Sequence, residues 1–367
     1  MGHAAARQLL ANRPAADDGV VPVSPVVCLA AKVAFLGTSS AYGSTEEPVA
    51  CRETHMSWIF LSGEEAYKLK KPVRFSYLDF STLERRHAAC RAELTLNRRL
   101  APDVYKCVTP LTRRGQSLAI GGPGEIVDWL VVMRRLDEDQ TLERLLATRQ
   151  LTTRQLNPLI AVLRRFYRRA PPVAVSPLVH LDRWRRNLAD NRRILLDPRL
   201  DLPATVVRLI GQRQSDFLRR RSSLLAERVQ RRCIVDGHGD LRPEHIWPGT
   251  PVQIIDCLEF NPGLRAVDPL DELAFLYVEC RRLGAAEHGA YIVRRFADGL
   301  PGGFSPELFA FYCSYRAMLR ARLAIAHLLE DKPRTPEKWL PLALAYLHAA
   351  ARAAESLVAG KACPRHA

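Results

Sequence analysis

Two carboxylates set the chemical question in this chain. Asp240 lies in the segment His238-Gly239-Asp240-Leu241-Arg242-Pro243-Glu244-His245, and Asp256 closes the apolar run Val252 to Ile255. The first sits in a turn-prone loop and the second ends a strand-like stretch, so a short loop and a strand pair would bring both to one cleft. A carboxylate in a loop can orient a hydroxyl nucleophile, and another beside it can hold a divalent ion against nucleotide phosphates. Phosphoryl transfer divides its labour in this way and asks the protein for positioning and charge rather than for covalent chemistry. The plain alternative is a polar loop whose aspartate caps a helix.

Other residues extend the pattern. Lys68 follows Ala66 on a strand-like run, so a small residue could face a base while the lysine reaches phosphates. Lys70 shares that face by the period-two rule and is a rival. Glu93, on the helix that follows, could pair with the strand lysine; Glu84 competes, but a first-turn Glu is favoured by the helix dipole alone. Thr54 and Ser57 flank a loop that could hold phosphate oxygens through hydroxyls and amides, although it has no glycine. Met133, at the end of a buried strand before the interlobe connector, completes the nucleotide-binding set. Arg242 would point a fixed cation at the transferred phosphate. Asp256 and His245 are the candidate metal ligands. Because Mg²⁺ prefers oxygen ligands and imidazole suits softer ions, His245 raises the alternative of Mn²⁺. Glu259 could join Asp256 or hold its loop. Asp268 and Asp271, at a helix start, read as capping and anchoring residues.

The elements that must position these groups fall into two halves. Residues 30–136 read as a small mixed lobe. Ser57 to Leu61 and Ala66 to Lys70 are strand-like around a Ser62-Gly63-Glu64 turn, and Thr82 to Leu100 is helical, with Leu83, His87, Cys90, Leu94 and Asn97 near one face. Asp128 to Met133 reads as a buried strand. Residues 137–360 read as a helical lobe, with helices expected over 140–149, 152–169, 181–196, 203–230, 269–284, 286–299, 306–329 and 336–359. Short strands are expected there around Ile234, Ile246 and Ile254. Residues 1–29 read as a mobile leader.

Composition narrows the class. The chain has 367 residues, is 47% hydrophobic and 25% charged, and carries a net charge of +15, which suits a globular protein with two lobes and anionic partners such as nucleotides. The nine cysteines include no Cys-x-x-Cys pair, which argues for reduced thiols in the cytoplasm and against a zinc site. No apolar run approaches the ~20 residues of a membrane span. Residues 208–232 are arginine-rich, yet residues 203–232 offer only Phe217 for base stacking, so nucleic acid is an unlikely partner and a solvated face is the simpler reading.

Taken together, Lys68, Glu93, His238-Gly239-Asp240 and Asp256 resemble the aminoglycoside phosphotransferase-like branch of the protein-kinase-like fold. Leu241 to Glu244 resembles the Leu-Lys-Pro-Glu of many kinase catalytic loops, and His245 stands where a kinase has a metal-binding Asn. The phrases Glu53-Thr54-His55-Met56-Ser57, Leu78 to Glu84, Leu96 to Pro102 and Asp256 to Asn261 are similar to an uncharacterised bacterial group of such enzymes, some fused to a P-loop ATPase domain. The resemblance implies a two-lobed α+β fold, with ATP and Mg²⁺ (or Mn²⁺) between the lobes and transfer of the γ-phosphoryl to a hydroxyl. It implies Asp240 as base and Asp256 as metal ligand. No G-x-x-x-x-G-K-[ST] is present, which suggests a separate P-loop ATPase partner. The short span from Asp256 to Asp268 leaves no room for a protein-kinase activation segment, so a small-molecule hydroxyl acceptor is expected. A catalytically degenerate nucleotide-binding regulator is the alternative, favoured by His245 and by the missing glycines.

Overall fold

The computed structural model of the protein describes residues 27–43, 48–75, 77–300, 302–330, 333 and 335–359. The leader expected over 1–29 lies outside the described residues up to residue 26. Its last residue opens helix α1 (Leu29–Leu36).

A six-stranded antiparallel sheet forms the small lobe. Its strands are β1 (Ala50–Glu53), β2 (Ser57–Ser62), β3 (Glu65–Lys70), β6 (Tyr105–Arg114), β7 (Ser117–Ile120) and β8 (Glu125–Arg134), in the order β1-β2-β3-β8-β6-β7. A separate two-residue pair, β4 (Arg74–Phe75) and β5 (Leu78–Asp79), precedes helix α2 (Leu83–Asn97). Gly63 turns β2 into β3 at φ 52°, a left-handed conformation that glycine adopts without penalty. Alternation then sorts the side chains. Phe60, Leu69 and Leu130 pack with Leu36 of α1, while Leu61, Ala66 and Val131 pack with Cys90 of α2. Lys68 and Lys70 share the α2 face with Ala66.

Helix α2 is capped by Thr82, whose hydroxyl accepts from Arg85 N. Its inward face differs from the expected one. Arg86, Ala89, Cys90, Glu93 and Asn97 are buried, whereas Leu83, His87 and Leu94 are only partly covered. The reason is electrostatic. Asp128 is buried in β8 and takes Arg86 Nε at 2.8 Å and Lys32 Nζ of α1 at 2.7 Å, so α1 and α2 are tied to one carboxylate.

The large lobe is helical: α3 (Leu142–Ala147), α4 (Asn157–Arg169), α5 (Pro177–Leu195), α6 (Ala204–Arg220), α7 (Ser222–Gln230), α8 (Pro262–Arg265), α9 (Pro269–Arg282), α10 (Ala286–Ala297), α11 (Pro306–Ala326) and α12 (Pro336–Ala359). The expected helix over 203–230 is two helices, broken at Arg221 (φ −122°, ψ 25°). The one over 152–169 opens as a separate 3₁₀ turn, Thr153–Leu156. Four two-residue strands frame the loops: β9 (Val235–Asp236) pairs with β12 (Ala266–Val267), and β10 (Ile246–Trp247) with β11 (Gln253–Ile254). Helices α9 and α11 run through the core. Their buried charges are matched, Arg316 forking onto Asp271 at 2.7 and 2.6 Å and Arg228 onto Asp268 at 2.6 and 2.7 Å. Asp268 also caps α9 by accepting from Leu270 N, in line with the capping role expected of it. The α+β, two-lobed architecture read from the sequence is the observed one.

Candidate active site

Lys68 is where the lobes meet. Its Nζ lies 2.8 Å from Glu93 Oε1 of α2 and 2.8 Å from Asp256 Oδ1 of the large lobe. Burial alone would strip the ammonium of its proton, but Asp256 and Glu93 hold its pKa well above the usual lysine range. The Lys68 ammonium in turn holds the Asp256 carboxyl below the usual carboxylate range. Lys70 ends on the other oxygen of the same glutamate, Oε2, at 2.6 Å, and also pairs with Glu259. Lys70 is wholly buried, whereas Asp256 is about half open, with its side chain 46% exposed. The rivalry between the two lysines thus becomes a division: Lys68 borders open space and Lys70 does not.

The loop carrying Asp240 is held from behind by a helix. Glu272 of α9, fully buried, accepts from His238 N at 2.9 Å, Gly239 N at 2.6 Å and the Tyr167 hydroxyl at 2.7 Å. A Cβ on Gly237 would stand 2.5 Å from Glu272 Oε2 and 2.4 Å from Val267 Cγ2, so glycine is required for this close approach. His238 then staples the loop to the Asp256 strand. Its Nε2 donates to the Ile255 carbonyl at 2.9 Å and its Nδ1 accepts from Asp240 N at 3.2 Å. Both bonds require the neutral ring, and burial pushes its pKa down to about 4.

His245 stands between the two aspartates. Its Nδ1 is 3.0 Å from the Asp240 carbonyl and accordingly donates to it. Nε2 is left as the acceptor, 3.3 Å from Arg242 Nη2 and 3.7 Å from Asp256 Oδ2. Arg242 bonds both Asp240 oxygens through Nε at 3.0 Å, and its Nη1 pairs with Glu244 at 2.5 Å. Burial would raise the Asp240 carboxyl, but the Arg242 guanidinium outweighs it and lowers it. Two further groups grip the Asp256 turn, where the backbone is left-handed at φ 64°. Asn97 Oδ1 accepts from Cys257 N at 2.9 Å, and the Tyr105 hydroxyl accepts from Asp256 N at 3.4 Å. Glu272 and Tyr105 are not singled out by the sequence, and Asn97 only as a residue of one helix face. Their role lies in contacts made across the fold, and the one local signal is the acidic run Asp268-Pro269-Leu270-Asp271-Glu272 at the start of an otherwise apolar helix.

A lysine on a β lobe, paired to a helix carboxylate, faces a loop aspartate and a strand-end aspartate of a helical lobe across a cleft. A cavity of about 700 Å³ opens beside them, lined by Ile59, Leu61, Ala66, Met133, Leu136 and Ile255 among others. Met133 is thus one of the apolar residues of this cavity. The Thr54 hydroxyl and the amides of Thr54 and Ser57 are engaged in a local turn. The Thr54 hydroxyl closes its own turn, donating to Ser57 O and accepting from Ser57 N at 3.0 Å, and Ser57 is buried. Lys71 pins this loop further by donating to the Thr54 carbonyl at 2.6 Å. Among the described residues no group of three or more His, Cys, Asp or Glu side chains could by itself hold a metal ion. The half-open Asp256 carboxylate and the His245 Nε2 3.7 Å from it are a partial donor set, which suits an ion completed by phosphates and water.

No protein-family model matches the chain. Curated proteins of Mycobacterium tuberculosis and Mycobacterium bovis, each described as uncharacterised, are 34% identical over 307 residues, which is 81% of this chain and 59% of the relative. The chain thus spans 59% of the length of the curated relatives it matches. Solved structures align with it at low identity. A choline/ethanolamine kinase family protein from Mesorhizobium loti is 15% identical with a TM-score of 0.47, covering 85% of this chain and 92% of that one. An aminoglycoside phosphotransferase from Streptomyces rimosus, in complex with ADP and streptomycin, is 15% identical with a TM-score of 0.43, covering 78% and 97%.

Proposed function

We propose that this chain is an aminoglycoside phosphotransferase-like small-molecule kinase, which moves the γ-phosphoryl group of ATP to a hydroxyl. One observation carries the reading: Lys68 Nζ stands 2.8 Å from both Glu93 and Asp256, a small-lobe lysine joined to a carboxylate from each lobe at a half-open cleft. In this reading the apolar lining at Ile59, Leu61, Ala66 and Met133 receives the adenine. Lys68 meets the phosphates, and Glu93 sets its direction. Asp256 and the Nε2 of His245 would hold Mg²⁺ or Mn²⁺, which when bound neutralises the phosphate oxygens. Asp240 orients the acceptor hydroxyl and takes its proton as the new O–P bond forms and the bond to the β–γ bridging oxygen breaks, leaving ADP. Arg242 must then release one Asp240 oxygen, and its freed N–H groups can meet the transferred phosphoryl. A cytoplasmic location and a separate P-loop ATPase partner belong to the same proposal. Among the described residues no helix is long and apolar enough to cross a membrane.

A nucleotide-binding regulator without turnover is the second reading. It is favoured by the clamp of Arg242 on both Asp240 oxygens. The two readings separate in one screen: ATP consumption by the full chain against hydroxyl-bearing metabolites, with Mg²⁺ and Mn²⁺ in parallel and Asp240→Asn alongside. Acceptor-dependent consumption that falls about 10²–10⁴-fold in the variant supports transfer. ATP binding without consumption for any acceptor supports the regulator, and no ATP binding by the wild type removes both.

A further inference from the structure

Strand β3 carries a second lysine whose role the phosphotransferase reading leaves open. Lys70 has no exposed surface, yet its ammonium stays charged, because Glu259 and Glu93 raise its pKa against the pull of burial. Its Nζ takes Glu93 Oε2 at 2.6 Å, pairs with Glu259, and lies 4.9 Å over the Phe80 ring. Glu259 belongs to the loop that begins with Asp256. Three separate pieces of chain therefore meet at one ammonium: β3, helix α2, and the loop after β11. The other Glu93 oxygen goes to Lys68.

We propose that Lys70 is a positioning residue for the metal-bearing loop. By holding Glu259 against Glu93, it fixes the turn that presents Asp256 and leaves Lys68 free for the cleft. The inference rests on the phosphotransferase reading above and names a device within it. The turn at Asp256 needs such a device, because a non-glycine residue at φ 64° persists only where its surroundings over-determine it. Asn97 on Cys257 N, Tyr105 on Asp256 N and Arg265 on the Leu258 carbonyl hold the backbone of this loop, and Arg99 reaches the Cys257 sulfur. The Lys70–Glu259 pair adds a fully buried ammonium on the Glu259 side chain. It also settles a competition. Lys68 and Lys70 face three carboxylates, Glu93, Asp256 and Glu259. Without Lys70, Glu259 and the second oxygen of Glu93 would compete with Asp256 for the remaining ammonium, and Lys68 would be drawn away from the cleft.

The test separates positioning from plain structural support. Removing Lys70 alone leaves Glu259 and one oxygen of Glu93 buried without their cation and destabilises the protein, whereas neutralising Glu259 as well leaves only the Glu93 oxygen, with Lys68 still on the other. The informative protein is therefore Lys70→Met/Glu259→Gln. Its unfolding midpoint and its affinity for ATP in EDTA are measured beside the wild type. The affinity is then measured again with Mg²⁺, so that each protein yields a metal-dependent gain. If Lys70 positions the metal loop, the double variant keeps a folded midpoint and still binds ATP in EDTA, while its gain from Mg²⁺, relative to its own affinity in EDTA, falls about 10-fold or more below that of the wild type, as for other residues that support a metal ligand. A full gain in the double variant overturns the proposal and leaves the phosphotransferase reading standing. A wild type that binds ATP with no gain from Mg²⁺ overturns the metal assignment and this proposal with it. Should the double variant not fold, Glu259→Gln alone reads the same gain, because it cuts the loop anchor while Lys70 keeps Glu93.

Discussion

Acid should loosen the Asp240 loop before it protonates Asp240 and Asp256, and His238 sets the range. In the folded protein its ring is buried and neutral, bonded through both nitrogens, with a pKa pushed down to about 4 from an ordinary 6.5. Above the ordinary value neither the folded nor the unfolded state carries the extra proton. Between the two values the unfolded chain binds it and the folded chain does not, so stability falls as the pH falls. At about 1.4 kcal/mol per pH unit, the gap amounts to about 3 kcal/mol lost between roughly pH 6.5 and pH 4. Urea denaturation of wild type and His238→Gln across that range reads it directly. The glutamine amide can still donate to the Ile255 carbonyl but does not titrate. Both proteins keep His180, whose ring burial pushes down to about 3, so its contribution cancels in the difference. The wild type should start more stable and lose that advantage as the pH drops. Two curves that fall in parallel would refute the neutral, buried His238.

Lys68→Met should weaken Mg·ATP binding in calorimetry by about 10- to 100-fold, the worth of a charge-assisted bond to phosphate, and Lys70→Met should do so less. The reverse order would move the phosphate contact to Lys70. Glu272→Gln should cost about 2–4 kcal/mol in urea denaturation, because its amide nitrogen would face a backbone N–H that now has an acceptor; a cost under about 0.5 kcal/mol would rule out Glu272 as the anchor of the loop. His245→Asn should shift the metal preference of ATP binding from Mn²⁺ toward Mg²⁺, and parallel metal titrations for the two proteins would take His245 out of the metal site.

The groups singled out by type and spacing converge in space even where the chain separates them widely: Lys68 and Asp256 are 188 positions apart and in direct contact. Local signals sufficed for these residues, since a lysine on an alternating strand and an aspartate in a glycine-marked loop declare their backbone setting. The inward face of α2 agrees with the sequence at Cys90 and Asn97 and departs from it elsewhere. Apolar periodicity points to Leu83, His87 and Leu94, but Arg86, Ala89 and Glu93 are buried instead, Arg86 and Glu93 each satisfied by a partner far away in the chain. Glu272 was hidden in the same way. A glutamate in the first turn of a helix reads as a dipole effect, and only the arrival of two loop amides and a tyrosine hydroxyl gives it another task. The short strands expected around Ile234, Ile246 and Ile254 are found at β9, β10 and β11, while β12 is a two-residue strand that leaves no period in sequence.

The carboxylate of Asp128 has an evolutionary corollary. It is shielded from solvent and answered by two cations, Lys32 and Arg86, which come from helices on opposite faces of the sheet. The contacts tie these three positions to one another. A neutral residue at 128 would leave two positive charges with no answer inside the lobe, and losing either cation would weaken the hold on one helix. Homologues should therefore keep the trio intact or exchange it together for apolar residues. A descendant that shed the segment around Lys32 should bear its mark nearly a hundred positions away, at residue 128.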